Sequence, residues 1–233
     1  MATPCPARAA PEAHLIIGGV GDCCTPGGYR RIFSERSARA AARRYRRRGL
    51  DLTSRRIVDL LAKRGVEGAT VLEIGGGIGA IQIELLKAGA ASAVSVELTP
   101  TYEEVAAGLL RELGLEDRVV RKVTDFAEAG AAVEQADIVV MNRVICCYPD
   151  MPKLAGAAAE HAGRLLVMSF PRQAFWMRAA LGVVNLVLRI TRREFHVFLH
   201  APARILATAE AQGLKTVFDR VGLAWQVAAL ERA

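Results

Sequence analysis

The sequence predicts an α/β fold: a mostly parallel, seven-stranded sheet with a C-terminal antiparallel hairpin, preceded by an N-terminal helical cap. Three observations carry this. From Thr70 to Ser169, short β-rich runs alternate with helical patterns, and such alternation builds a parallel sheet through right-handed crossovers. The first of these runs ends in the glycine-rich turn Glu73-Ile74-Gly75-Gly76-Gly77-Ile78-Gly79. The last two runs, Leu214 to Val221 and Leu223 to Leu230, are separated by Gly222 alone. Strands joined that closely must be antiparallel. With 233 residues and 52% hydrophobic content, the chain can bury one full core and is too apolar for wholesale disorder.

Residues 1–28 are rich in Pro, Gly and Ala without a sustained period. They read as a flexible tail with a turn at Thr25-Pro26-Gly27-Gly28. Residues 29–65 read as the helical cap. Phe33, Ala38, Ala41, Ala42 and Tyr45 recur at helical spacing between Tyr29 and Arg48, and Gly49 ends that helix. Asp51 or Thr53 caps a second helix whose apolar face is Ile57, Leu60 and Leu61. Residues 66–233 form the main domain. Its first five strands are expected at Thr70–Ile74, Ala93–Glu97, Val119–Val123, Asp137–Asn142 and Arg164–Ser169. The fourth is almost wholly apolar, as a strand buried on both faces should be. Helices are expected at Ile78–Ala88, Thr101–Leu113, Met151–His161 and Pro202–Gln212.

The formal charge of +7 is uneven. Arg30, Arg31, Arg36, Arg39, Arg43, Arg44, Arg46, Arg47, Arg48, Arg55 and Arg56 crowd the cap, as a solvated helix face or as a surface for an acidic substrate. No nucleic-acid partner is expected, because no aromatics beyond Tyr29, Phe33 and Tyr45 interleave the arginines. The five cysteines are an odd count, and no signal-like segment opens the chain, so a reduced cytoplasmic setting is expected. Their spacing matches no zinc site, and no metal is expected. The apolar run Phe175 to Ile190 is too short to span a bilayer and is interrupted by Arg178 and Asn185. It reads as a buried or interfacial helix.

The glycine turn sits between a strand and a helix, where bare backbone admits a ligand. It fits both a dinucleotide site and an S-adenosylmethionine site. Three further features bear on the choice. Glu73 stands two residues before the first glycine, placed to organise the turn and face a cationic ligand. Glu97, followed by Leu98, ends the second strand and can accept from two ribose hydroxyls. Asp125-Phe126 follows the third strand, where a carboxylate can accept from an adenine amino group beside an aromatic ring. Taken singly, Glu97 also reads as a strand-end charge and Asp125 as a helix cap.

As a set, Glu73 to Gly79, Glu97, Asp125-Phe126 and the closing hairpin resemble the class I S-adenosylmethionine-dependent methyltransferases. The resemblance covers about residues 50–233 and implies a Rossmann-like fold with S-adenosyl-L-methionine as cofactor. It implies that Glu73, Gly75, Gly76, Gly77 and Gly79 hold the methionine end, Glu97 and Leu98 the ribose side, and Asp125 and Phe126 the adenine. Asn142, at the end of the fourth strand, completes that set. The acceptor pocket is then expected at Asn142 to Asp150, under the cap, with Arg143, Cys147 and Tyr148 as candidate catalytic residues. Arg143 could pair with an acidic substrate, or form a surface salt bridge.

Shorter motifs are similar to the magnesium-protoporphyrin IX O-methyltransferases: Gly28-Tyr29, Arg48-Gly49-Leu50-Asp51-Leu52-Thr53, Cys147-Tyr148-Pro149 and Phe198-Leu199-His200. That resemblance implies methylation of a porphyrin propionate, N-terminal helices closing over the substrate, and peripheral membrane contact. Where the family shows His-Tyr-Pro, this chain has Cys147-Tyr148-Pro149, and Cys23-Cys24 falls where the family has an aromatic pair. The expected partner is a small molecule. The best reading is O-methylation of a tetrapyrrole carboxylate. The alternatives are O- or N-methylation of a specialised metabolite, an NAD-dependent oxidoreductase and a non-catalytic cofactor-binding module. Cys23, Cys24, Cys146 and Cys147 are expected near one pocket, as small apolar thiols, a soft-metal site or a redox bridge.

Overall fold

The computed structural model describes residues 26–129 and 132–233. Three helices open it: α1 (Pro26–Ile32), α2 (Glu35–Arg48) and α3 (Leu52–Lys63). The main domain then runs β1 (Thr70–Ile74), α4 (Ala80–Lys87), β2 (Ser92–Glu97), α5 (Glu103–Glu112), β3 (Val119–Val123), β4 (Ala136–Asn142), α6 (Met151–His161), β5 (Ala162–Pro171), α7 (Phe175–Ile190), α8 (Pro202–Glu210), β6 (Leu214–Val221) and β7 (Trp225–Arg232).

One seven-stranded sheet has the order β3-β2-β1-β4-β5-β7-β6. β1 pairs parallel with β2 and β4, and β7 pairs antiparallel with both β5 and β6. Side chains alternate faces along each strand. Val139 and Met141 of β4 join a core under α6 and α8, while Ile138 and Val140 join a second core under α2 to α5. Both faces of the central strands are therefore covered, and their apolar runs are explained. The chain reverses direction across the sheet between β1 and β4. That switch point leaves a crevice beyond their carboxyl ends, where ligands bind in such sheets.

The cap departs from the sequence expectation at two places. The expected turn at Thr25-Pro26-Gly27-Gly28 is helical from Pro26 onward. Proline at a first helical position has no N–H to satisfy and its backbone angle is preset. Gly28 is needed for packing: a Cβ there would lie 1.7 Å from the Glu194 carbonyl oxygen. The expected continuous helix from Tyr29 to Arg48 breaks at Phe33-Ser34. Ser34 restarts it by accepting from the Ser37 N–H at 3.4 Å, a capping signal read there only as helix interior. Residues 1–25 of the expected tail, with Cys23 and Cys24, lie outside the described residues.

Asp51 caps α3, accepting from the N–H groups of Thr53 at 2.9 Å and Ser54 at 3.2 Å. The closing hairpin turns over Gly222-Leu223-Ala224, with the Gly222 N–H donating to Trp225 O at 2.8 Å. The last strand consequently starts at Trp225 instead of Leu223. The cap arginines face solvent, with Arg56 half-buried. α2 buries Ala38, Ala42 and Tyr45 in the core, and Arg46 pairs with Glu112 of α5.

Candidate active site

The turn between β1 and α4 is built for closeness. Gly75, Gly77 and Gly79 have φ of 65°, 65° and 76°, left-handed values that glycine adopts without a Cβ penalty. Gly76 is constrained differently: a Cβ there would lie 2.3 Å from the Glu73 carboxyl carbon. The Glu73 side chain is tucked beneath the turn, 1% exposed, and accepts from the Gln82 N–H at 3.3 Å. Burial pushes its carboxyl up to about 7.

Glu97 ends β2 and reaches the same turn, where the Gly77 N–H donates to its Oε1. It too is buried and pushed up to about 7 by desolvation. The counter-charge comes from Arg121 of β3, which donates to Gly77 O at 3.1 Å and pairs with Glu103 at 2.7 Å. Sequence reading passed over Arg121. Its signal is a charge at position three of a strand whose neighbours carry the site, turned toward the sheet.

Asp125 follows β3. It caps its own turn through the Ala127 N–H at 3.0 Å and accepts from Tyr148 Oη at 3.1 and 3.0 Å. Burial raises the Asp125 carboxyl, and burial with the facing carboxylate drives the Tyr148 phenol well above its usual range. Phe126 is buried edge-on against His161, with ring centroids 5.0 Å apart.

Beyond β4 the chain makes a sharp left-handed step at Arg143, φ 63°. A non-glycine residue is held there only when its surroundings insist. Here five residues close a ring of hydrogen bonds. Ser54 Oγ donates to Asp51 at 3.1 Å, Asn142 Nδ2 to Ser54 Oγ at 3.1 Å, and Ser169 Oγ to Asn142 Oδ1 at 2.6 Å. The Arg143 N–H donates to Ser169 Oγ at 3.0 Å, and its guanidinium returns to Asp51 at 2.7 Å. The guanidinium also lies over the Trp225 ring, 4.9 Å from its centroid. Burial alone would raise the Asp51 carboxyl, but Arg143 and the capping N–H groups outweigh it and hold it below the usual range. The guanidinium that the sequence offered to an acidic substrate is thus given to Asp51 and Trp225. The ring ties α3 of the cap to the carboxyl ends of β4 and β5.

These parts surround one cavity of about 240 Å³. Gly75, Gly76, Gly77, Glu97 and Leu98 line one end, Asp125, Phe126, Asn142, Arg143, Cys147 and Tyr148 line it further along, and Tyr29 and Phe33 of the cap cover it. Tyr29 Oη donates to Cys147 O, and its ring meets Phe195 edge-on at 5.3 Å. Cys146 is buried and its sulfur lies 3.7 Å from that of Cys147. Among the described residues no cluster of three or more His, Cys, Asp or Glu could hold a metal ion. Glu73 and Gly79 fall outside the cavity lining: Glu73 supports the turn from below, and Gly79 precedes α4. A second recess, lined by Arg44, Asp51, Ser54, Glu73 and Asn142, adjoins the first through Gly75 and Gly76.

Residues 34–228 match a family described as a methyltransferase domain. No curated protein matches the chain by sequence. Solved structures of the same fold include an O-methyltransferase family protein from Burkholderia thailandensis, at 18% identity and TM-score 0.68, covering 90% of this chain and 64% of that one. The chain therefore spans just under two thirds of that protein. Magnesium protoporphyrin IX methyltransferase from Synechocystis PCC 6803 with bound S-adenosylhomocysteine is also 18% identical, with TM-score 0.65 over 88% of this chain and 93% of that one. An O-methyltransferase family 2 protein from Planctomyces limnophilus, in complex with apigenin, is 16% identical, with TM-score 0.63 over 85% and 62%. At such identities the structures establish the fold, and the family match decides against the NAD-dependent reading of the glycine turn. The chain belongs to the methyltransferase domain family, whose methyl donor is S-adenosylmethionine.

Proposed function

We propose that this methyltransferase acts on a small or medium organic acceptor through a carboxylate oxygen, with a tetrapyrrole propionate as the specific candidate. The observation that carries the carboxylate is the commitment of the cavity's acidic groups. Asp125 is held by Tyr148 and the Ala127 N–H, Glu97 by the Gly77 N–H, and no histidine is among the described residues that line the cavity. An acceptor that had to lose a proton would need a base there, whereas a carboxylate arrives anionic.

On this reading Glu73, Gly75, Gly76, Gly77 and Gly79 form the methionine end, bordered by Asn142. Glu97 accepts from the ribose, with Leu98 beside it. Asp125 and Phe126 meet the adenine. The fit rests on the cradle itself: a Cβ at Gly75, Gly76 or Gly77 would meet Val144, Glu73 or Tyr102. A cationic ligand beside the Glu73 and Glu97 carboxyls would favour their ionised forms. The bound sulfonium supplies a methyl group already activated for in-line displacement. The chain contributes alignment and exclusion of water. Tyr29, Phe33 and Cys147 wall the acceptor end. Arg143 and Tyr148 keep that wall in shape, through Asp51 and Asp125 respectively.

The tetrapyrrole is supported by the Cys147-Tyr148-Pro149 and Phe198-Leu199-His200 motifs and by the Synechocystis structure. The apigenin complex supports a second reading, O-methylation of a phenolic metabolite. Calorimetry tests the cofactor half. Glu97→Ala should weaken S-adenosylhomocysteine by about 1.5–3 kcal/mol, the range for hydrogen bonds to a charged group. An unchanged affinity would reduce Glu97 to a strand-end charge. Mass spectrometry of products from porphyrin carboxylates and flavonoid phenols tests the acceptor half, and methylation of the phenols alone would overturn the carboxylate.

A further inference from the structure

α7 is apolar on both of its sides: Met177 is buried, Leu188 packs against the cluster of Tyr29 and Phe195, and the opposite side is turned to solvent. Its 16 residues contain only three polar side chains, Arg178, Asn185 and Arg189. Asn185 faces the protein, donating to Val197 O at 2.9 Å and accepting from the Val197 N–H at 2.9 Å. Met177 is its one buried residue. The side turned to solvent is apolar throughout: Phe175 is 88% exposed, Ile190 70%, Val183 62%, Leu186 55% and Val187 53%. A surface helix normally places its apolar stripe on the core and its polar face outward. No helix among the described residues is long and apolar enough to cross a membrane.

The charges on α7 and on the turn that follows it as far as Arg193 are all positive, ahead of the exposed Glu194. Arg178 and Arg189 are eleven positions apart, which returns them to the same side of a helix. They border the apolar face, and Arg192 and Arg193 follow at its end, all four exposed. Arg193 donates to Arg31 O at 3.3 Å, so the exposed Arg30 and Arg31 of α1 continue the basic rim. The sequence from Phe175 to Arg193 holds no acidic residue.

We propose that α7 lies in the surface plane of an anionic lipid bilayer, with its outward face at the acyl boundary and the flanking arginines at phosphate level. A basic helix with an apolar face binds such surfaces by burial of that face and by attraction to anionic headgroups. A second copy of the chain is a poorer occupant. The helix is roughly 24 Å long and 10 Å wide, a footprint of a few hundred Å² against the ~800 Å² per partner of a stable interface. Its arginine rim would also meet itself. The inference holds whichever acceptor the cavity takes.

Vesicle co-sedimentation tests it on the full chain. The protein should bind mixed phosphatidylcholine–phosphatidylglycerol vesicles and bind pure phosphatidylcholine much more weakly. Val183→Glu/Val187→Glu should lower binding to the mixed vesicles more than about tenfold, since two exposed valines lose their burial in lipid. S-adenosylhomocysteine affinity should be unchanged, which shows that the variant folds. Arg178→Glu/Arg189→Glu should erase the preference for anionic vesicles. Absence of binding to either vesicle, or binding that the valine variant leaves intact, would overturn the proposal. So would a dimer in sedimentation velocity that the valine variant dissolves while vesicles go unbound.

Discussion

Glu97 and Gly77 are bonded across 20 positions of sequence, on the ends of adjacent strands; Tyr29 and Cys147 are bonded across 118. The first pair belongs to the glycine end of the cavity and the second to its lid. Around the glycines, the sheet's own pairing delivers Glu73 and Glu97 to one turn, and backbone without side chains does most of the shaping. The lid is assembled from α1, the loop after β4 and the segment after α7. Each touches the others through aromatic edges and single hydrogen bonds. The glycine end should therefore fail abruptly when altered, and the lid should weaken by degrees.

The sharpest test of that contrast is Gly76→Ala. The new methyl would press on the buried Glu73 carboxyl beneath the turn. Overpacking of this kind costs about 1–3 kcal/mol or more, and here it falls on the turn itself. Calorimetry should show S-adenosylhomocysteine affinity down by roughly 100-fold or beyond measurement. A mild loss would show that the turn flexes like the lid.

Acidity gives the next largest effect. The Glu73 carboxyl is pushed from 4.5 to about 7 in the fold. The folded chain then holds a proton that the unfolded chain releases between those values. The resulting stability is fully present below about pH 4.5 and lost as pH rises through about 7. Glu73→Gln is neutral throughout. In urea melts, the stability of wild type relative to Glu73→Gln should fall by about 2–3 kcal/mol between roughly pH 5 and 8. A flat difference would mean that Glu73 is solvated and the glycine end less dry than its burial indicates.

The ring of Asp51, Ser54, Asn142, Ser169 and Arg143 joins the two regions and should behave as a unit. Asp51→Ala removes a helix cap and the partner of Arg143, and should cost about 1–2 kcal/mol. Ser54→Ala and Ser169→Ala combined should cost less than the sum of the singles, by about 0.5 kcal/mol or more, because the second break falls on an opened ring. Strict additivity would reduce the ring to independent bonds. The smallest effect belongs to the lid. Tyr29→Phe removes one donor to Cys147 O, worth about 0.5–1.5 kcal/mol. It should raise the acceptor KM several-fold and leave cofactor affinity untouched.

The same division governs what could be read from sequence. Strand β1, the glycine run, Glu97 at the end of β2 and Asp125 after β3 stand in fixed order along an alternating pattern, so their convergence follows from topology. β1, β3 and β6 have the expected bounds. The interruption at Ser34 is hidden, because arginines on both sides, with Phe33 before it and alanines after it, carry the helical period across it. Arg143 leaves two readings open in the sequence, a partner for an acidic substrate or a surface salt bridge, and nothing local shows that Asp51, 92 positions away, claims it. For α7 the sequence offers a buried or an interfacial helix and no choice between them: periodicity finds an apolar helix but cannot say which side the fold leaves outside.

Gly28 does not line the cavity, yet a Cβ added to it would lie 1.7 Å from the Glu194 carbonyl oxygen, so there is no room there for even one carbon. α1 and the segment leaving α7 are thereby fastened backbone to backbone, and one carries Tyr29 while the other carries Phe195. In a saturation scan selected for activity, position 28 should tolerate almost nothing, while the cap arginines a few residues away tolerate nearly everything. Constraint on such an enzyme would then be greatest not only where chemistry happens but at a hinge pin, a residue that contributes by having no side chain.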